Sequence, residues 1–144
     1  MEENVLGFIG LMRRAGALAV GAEDAYDAAR NAKARLLIVA ADAAKNTADG
    51  MNNARGEHDT PLIRLDCTKA ELGKALGVRE CSAAAVIDTG FALNLCKKVG
   101  SPEAVEVLDA RLQREKKRKQ KKLDRKAEKA APNRQAHVSG RRGN

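Results

Sequence analysis

Asp88-Thr89-Gly90 is the triplet in this chain whose residue types come nearest to acid–base chemistry. Asp-Thr-Gly is the triplet of aspartic proteases. Those enzymes are rich in β-structure, whereas here helix and strand patterns alternate. An aspartate at the end of an apolar strand, followed by a helix cap, accounts for the three residues without catalysis. The two histidines, His58 and His137, have no evident Cys, Ser or Asp partner, so no nucleophile–base constellation is visible. No phosphate loop of the GxGxxG or GxxxxGK[ST] type occurs. Cys67, Cys81 and Cys96 are odd in number and far apart, without a CxxC pair, which argues against a zinc site. A disulfide framework is not expected either, in keeping with a reducing cytoplasm. The chain is therefore not read as an enzyme, and neither cofactor nor metal is expected.

What remains is binding through charge. The formal net charge of +8 hides an asymmetry. From Arg111 to Asn144 there are 14 Lys or Arg against three acids, which leaves 13 basic and 16 acidic residues before position 111. The body is thus acidic and the tail strongly basic. A tail of that kind is an arm for polyanions, most often nucleic acid. In the body, Arg13, Arg14, Arg30, Lys33 and Arg35 cluster in sequence around the first two helical segments. They are either ordinary solvated charge or a rim for phosphates.

The elements that must position these residues are short. Asn4 can cap a helix with Val5, Phe8, Ile9 and Met12 at helical spacing, Arg13 and Arg14 in its last turn and Gly16 as its stop. Ala17 to Val20 is a strand, and GAEDAYDAARN, from Gly21 to Asn31, opens the helix that follows. Gly21 suits the strand-to-helix turn, and Glu23 and Asp24 sit where the helix dipole favours negative charge. Ala25, Ala28, Ala29 and Ala32 form its small-residue face. RLLIVAA, from Arg35 to Ala41, is a central strand covered on both faces. A helix capped by Thr47 is weakened by Gly50 and Gly56. Pro61 to Leu65 is a strand. Thr68 to Glu71 is a capping box, and Gly77 ends its helix. Ala83 to Asp88 is a fourth strand, and Thr89 caps a helix that stops at Gly100. Ser101-Pro102 marks a break, with Pro102 suited to a first helical position. Val105, Leu108 and Leu112 give a short apolar stripe, and the charged segment after it is a solvated helix or disordered. Pro132, Gly140 and Gly143 point to disorder from Ala130 onward. The alternation predicts an α/β fold, with an α/β domain over 1–100 and a basic extension over 101–144. No apolar run is long enough for a membrane span, and the opening MEEN lacks the basic region of a signal peptide.

In order along the chain, GLMRRAGALAVG, AARNAKARLLIVAADAAKNT, PLIRLDCTKAELGKALG and AAAVIDTGFA resemble the bacterial YlxQ-like proteins. These are members of the kink-turn-binding ribosomal-protein family of the L-seven-Ae type. The resemblance covers residues 5–98 and is most specific at Ala40 to Thr47, Glu71 to Gly77 and Ala83 to Ala92. It implies a three-layer α/β/α sandwich with a four-stranded mixed sheet. It also implies RNA as the partner, bound at kinks flanked by sheared G·A pairs. The implied contact surface is the turn into the second helix, Gly21 to Asp27, with the loop before the last strand, Val78 to Ser82. The family motif there is Gly-x-Asn-Glu-x-x-Lys. Gly21 matches it, while Glu23, Asp24 and Asp27 stand where Asn, Glu and Lys are usual. The residues expected to meet RNA are Arg13, Arg14, Gly21, Ala22, Glu23, Asp24, Asp27, Val78, Arg79 and Glu80. The expected setting is a cytoplasmic monomer acting on ribosomal or other structured RNA, with the ribosome as a candidate partner. Two other readings remain open: a recognition module of a multi-chain RNA-modifying enzyme, and a protein-interaction domain using the acidic body.

Overall fold

The computed structural model describes residues 3–136, 139–140 and 142–143, with side chains over 4–129. Helices and strands alternate along the body. They are α1 (Glu3–Arg14), β1 (Leu18–Val20), α2 (Ala22–Arg30), β2 (Leu36–Val39), α3 (Lys45–Arg55), β3 (Leu62–Arg64), α4 (Lys69–Leu76), β4 (Ala83–Val86) and α5 (Thr89–Val99). The helix α6 (Pro102–Ala136) follows.

The strand order is β1-β4-β2-β3. In this sheet β2 and β3 run parallel, and β4 is antiparallel to both of its neighbours. The sheet is therefore mixed, as the family resemblance implied. Its two central strands, LLIV and AAAV, are buried at every position, because helices cover both faces. On one face α2 and α3 pack together. There Leu37, Val39, Ala83 and Ala85 share a core with Ala25, Ala28, Ala29, Ala34 and Met51. Alanine on both sides lets α2 lie close to the sheet. On the other face α1 packs against α4 and α5, with Ile9, Met12, Leu72 and Leu95 fully buried.

The compact body runs from Met1 to Ala110, and Arg111 to Asn144 forms a second unit. Ala104 and Leu108 are buried, so the first turns of α6 belong to the body. Pro102 takes the first helical position, where its missing N–H costs nothing.

Several local expectations are corrected. Helix α1 already includes Glu3, so Asn4 lies inside it. Ala32 is exposed and outside α2, with a positive φ of 57°, so the small face ends at Ala29. Helix α3 starts at Lys45, behind Ala44, and Thr47 lies within it. Gly50 is there for packing: a Cβ would stand 2.7 Å from the Tyr26 hydroxyl oxygen, so its absence lets α2 and α3 meet. Asp88, not Thr89, caps α5, its Oδ1 accepting from the Phe91 amide at 2.9 Å. From Ala130, where disorder was expected, α6 continues through Pro132 to Ala136, and Ser139–Gly140 pairs with Arg142–Gly143 as two-residue strands β5 and β6. His137 lies outside the described residues.

Candidate nucleic-acid interface

One end of the sheet gathers the candidate residues. Val20, the last residue of β1, pairs with Ala84, and Val39, the last of β2, pairs with Ala83. The turn into α2, the turn into α3 and the loop before β4 therefore converge. The Gly21 amide donates to the Ala83 carbonyl at 3.0 Å, and the Ala40 amide donates to the Ser82 carbonyl at 2.9 Å. The buried Cys81 Sγ lies 3.2 Å from the Ala83 oxygen, and burial pushes its thiol up in pKa against the opposing pull of the Gly21 backbone and Arg13.

Gly21 has φ 99° and ψ 154°, a conformation closed to residues with a side chain. Nothing lies within 4 Å of where its Cβ would be, so the requirement is conformational and the space above it is open. No side chain caps α2, which leaves its first amides as donors. Ala22 is half-buried, while Glu23 and Asp24 are exposed in the first turn. Uncapped amides beside two carboxylates offer both donors and acceptors to a ligand.

The Val78–Ser82 loop is held from below. Val78 donates to the Gly73 carbonyl at 2.9 Å and Cys81 to the Lys69 carbonyl at 3.0 Å. A Cβ on Gly73 would stand 2.7 Å from Glu80 Cα and 2.9 Å from the Arg79 oxygen, so the loop rests directly on α4. The other end of α4 is anchored by the Thr68–Glu71 capping box and by Asp42, whose Oδ1 accepts from the Lys69 amide at 2.7 Å. Val78 is half-buried, Arg79 is exposed without a side-chain partner among the described residues, and Glu80 makes a loose 3.9 Å pair with Lys69.

The remaining candidates are placed differently. Arg13 donates to the Leu76 carbonyl, so it closes the C-terminus of α4, where a cation suits the dipole. Arg14 lines an open groove between α1 and α4 with Gly10, Glu71 and Lys74. Asp27 is paired with Arg30 at 2.5 Å, both side chains exposed. The basic cluster read from the sequence is split, because the Arg35 amide bonds the Val86 carbonyl at the opposite end of β4 from Ala83. Sequence reasoning passed over the turn into α3. Its Lys45 and Asn46 are exposed at the converging end, and the run AADAAKNT was its only signal.

Comparison with known proteins decides the family. The model of the ribosomal protein L7Ae/L30e/S12e/Gadd45 family matches residues 3–96. The chain belongs to this family. Within it, the chain is 31% identical over 91 residues to the RNA-binding protein YlxQ of Enterococcus faecium, covering 63% of this chain and 86% of that one. It is 31% identical over 87 residues to the RNA-binding protein YlxQ of Bacillus subtilis (strain 168), covering 60% and 86%. The L7Ae-type fold recurs in a Bacillus halodurans protein of unknown function, with a TM-score of 0.58 and 27% identity over 75% of this chain and 99% of that one. It recurs again in the Giardia lamblia 15.5kD RNA binding protein, with a TM-score of 0.55 and 21% identity over 70% and 92%. The chain is YlxQ-like, and the two YlxQ relatives are named for RNA binding, in line with a chain that is not an enzyme. Among the described residues, no helix is long and apolar enough to cross a membrane.

Proposed function

We propose that this protein binds structured RNA in the cytoplasm, as a monomer, with ribosomal RNA as the first class to test. The body uses the sheet end where α2 starts, and the basic C-terminal segment adds phosphate contacts. The observation that carries this reading is the Gly21–Ala83 hydrogen bond, which ties the open, uncapped α2 turn to the start of β4, directly after the Arg79 loop. The YlxQ relatives, named RNA-binding proteins, support it.

A kinked RNA fits this surface better than a straight duplex. Asp24 can accept from the amino and imino groups of a guanine exposed at a kink, and Arg79 can pair with a phosphate beside it. Glu23 accepts only, so it cannot replace the donor function of an amide side chain. Asp27 is partly neutralised by Arg30 and lies one turn further along α2.

The test titrates the full chain against a kink-turn RNA and an unkinked duplex of equal length. Asp24→Ala and Arg79→Ala should each weaken the kinked RNA by about tenfold or more, as expected for hydrogen bonds to charged groups. Removing residues 111–144 should weaken both RNAs and flatten the salt dependence. Equal affinity for both RNAs in the intact chain, unchanged by either alanine, would rule the kink reading out.

A further inference from the structure

The cations of α6 are not spread evenly round the helix. At 3.6 residues per turn, Arg111, Arg114, Arg118 and Arg125 fall within about 60° of arc, spaced three, four and seven residues apart. Lys122 and Lys129 continue the same line. Between 111 and 129 there are eleven basic and three acidic residues. Nine of those cations and one of those acids lie on the half-cylinder centred on the Arg111–Lys129 line. The other half carries Lys116 and Lys117 against Asp124 and Glu128, with Gln113, Gln120 and Leu123, and is neutral. On that half Asp124 Oδ1 accepts from Gln120 at 2.9 Å. On the basic half Arg111 is paired with Glu115 at 3.1 Å. Arg114, Arg118, Lys122 and Arg125 are exposed and have no side-chain partner among the described residues.

A helix that needed charge only for solubility would scatter it. Placing all four arginines between 111 and 125 on one line selects the side chain that grips phosphate bidentately. The line from Arg111 to Arg125 is about 21 Å long at 1.5 Å per residue. A single strand is ordinarily held by stacking its bases on aromatic rings. No aromatic residue occurs between Pro102 and Ala136. A regularly spaced row of guanidinium groups without stacking partners matches a ligand that offers regularly spaced phosphates.

We infer that the arginine face of α6 is a clamp for the phosphate rows of double-stranded RNA, with the neutral face turned away from it. This rests on the RNA-binding reading above and adds the ligand class and the face that meets it. Binding is sequence-independent, because phosphate contacts fix position without reading bases.

The experiment compares two double variants of the full chain that remove the same charge: Arg114→Gln with Arg118→Gln, and Lys116→Gln with Lys117→Gln. Gln has a helix propensity close to that of Arg and Lys, and far-UV circular dichroism verifies that α6 persists. Each is titrated with a 20-base-pair RNA duplex and a 20-nucleotide single strand across a salt series. For the duplex, the arginine pair should lower affinity roughly 10- to 60-fold near 0.1 M salt and reduce the log–log salt slope by about 1.8, two contacts at about 0.9 each. The lysine pair should change duplex affinity less than about threefold, and the single strand should respond little to either. An equal loss from both pairs would show undirected charge and overturn the inference. So would an arginine effect as large on the single strand as on the duplex. If the intact chain bound neither RNA, the RNA-binding reading would fall as well, which sets the two failures apart.

Discussion

Gly73 carries the weight of the Arg79 loop, and adding one methyl group there tests whether the loop is placed by packing. In Gly73→Ala, the new Cβ would meet Glu80 Cα at 2.7 Å, the Arg79 oxygen at 2.9 Å and the Glu80 nitrogen at 2.9 Å. All three are backbone atoms, so no flexible side chain can swing aside. Overpacking of this kind costs about 1–3 kcal/mol. Alanine in a helix recovers about 0.8–1 kcal/mol over glycine. The contacts at Gly73 are at the severe end, so the net loss should be about 1–2 kcal/mol. In a body of this size that corresponds to a fall in Tm of roughly 5–10 °C. Gly7→Ala is the matched control, since Gly7 lies inside α1 and nothing stands within 4 Å of its would-be Cβ. It should raise stability by about 0.5–1 kcal/mol. Urea unfolding of both variants, followed by circular dichroism, gives the stabilities. Titration with kink-turn RNA, at a temperature where both are folded, then reports the loop. Gly73→Ala should bind less tightly than wild type and Gly7→Ala equally well. If Gly73→Ala is stabilised to the same extent as Gly7→Ala, the loop does not rest on α4.

Leu37 is fully buried between the sheet and α2. Leu37→Ala should cost about 2–5 kcal/mol in urea unfolding, and a loss under about 0.5 would contradict a core strand. The Glu71 carboxyl is held below its usual range by hydrogen bonds from the Thr68 backbone and side chain. Its contribution is therefore present above the unfolded pKa of about 4.5 and lost as pH falls through the lower folded value. Glu71→Gln should remove part of the stability decline below that point, visible as a shallower acid limb in Tm against pH. The Cys67 and Cys96 thiols are raised to about 11 by burial. Ellman titration at pH 8 should find them slow to react until denaturant is added. Asp27→Lys breaks the Arg30 pair and places two cations three residues apart. It should cost a few tenths of a kcal/mol in stability yet tighten a kink-turn RNA more than a straight duplex; equal tightening would make it part of the general field.

The fold could be read from the sequence where a pattern had one physical meaning. LLIV and AAAV are apolar without alternation, which only a strand covered on both faces explains. The Thr68-to-Glu71 capping box and the Gly77 stop set both ends of α4. Misplacements arose where two local devices competed. Asp88 and Thr89 are both good caps, and the backbone amide of Phe91 chose the first. Gly50 read as a weak helix position because the Tyr26 ring it accommodates comes from another helix. Ala32 has the composition of α2's small face, but the chain has already turned out of the helix there. Long-range closeness of this kind is absent from any local window. The same is true of the candidate site: Arg13 and Arg14 look alike in sequence, yet one closes α4 and the other lines a groove.

The charge asymmetry and the site geometry bear on each other. An acidic body would repel a polyanion at a distance, and the α2 turn adds Glu23 and Asp24 to that repulsion. Short-range complementarity at the turn acts only after encounter, because exposed charges are screened beyond roughly 10 Å at moderate salt. In the proposed function, attraction comes from the basic residues of the second unit, whose counterion release is independent of sequence. On the proposed reading, this division assigns the rate and the salt dependence of binding to the arm. On the same reading the body discriminates, through carboxylates that reward only RNA with exposed donors. Removing the arm should therefore lower affinity for kinked and straight RNA by similar factors and leave their ratio nearly unchanged. Asp24→Ala should change the ratio and leave the salt slope alone. If arm removal abolished the preference for kinked RNA while the body stayed folded, discrimination would reside in α6 and not at the sheet end.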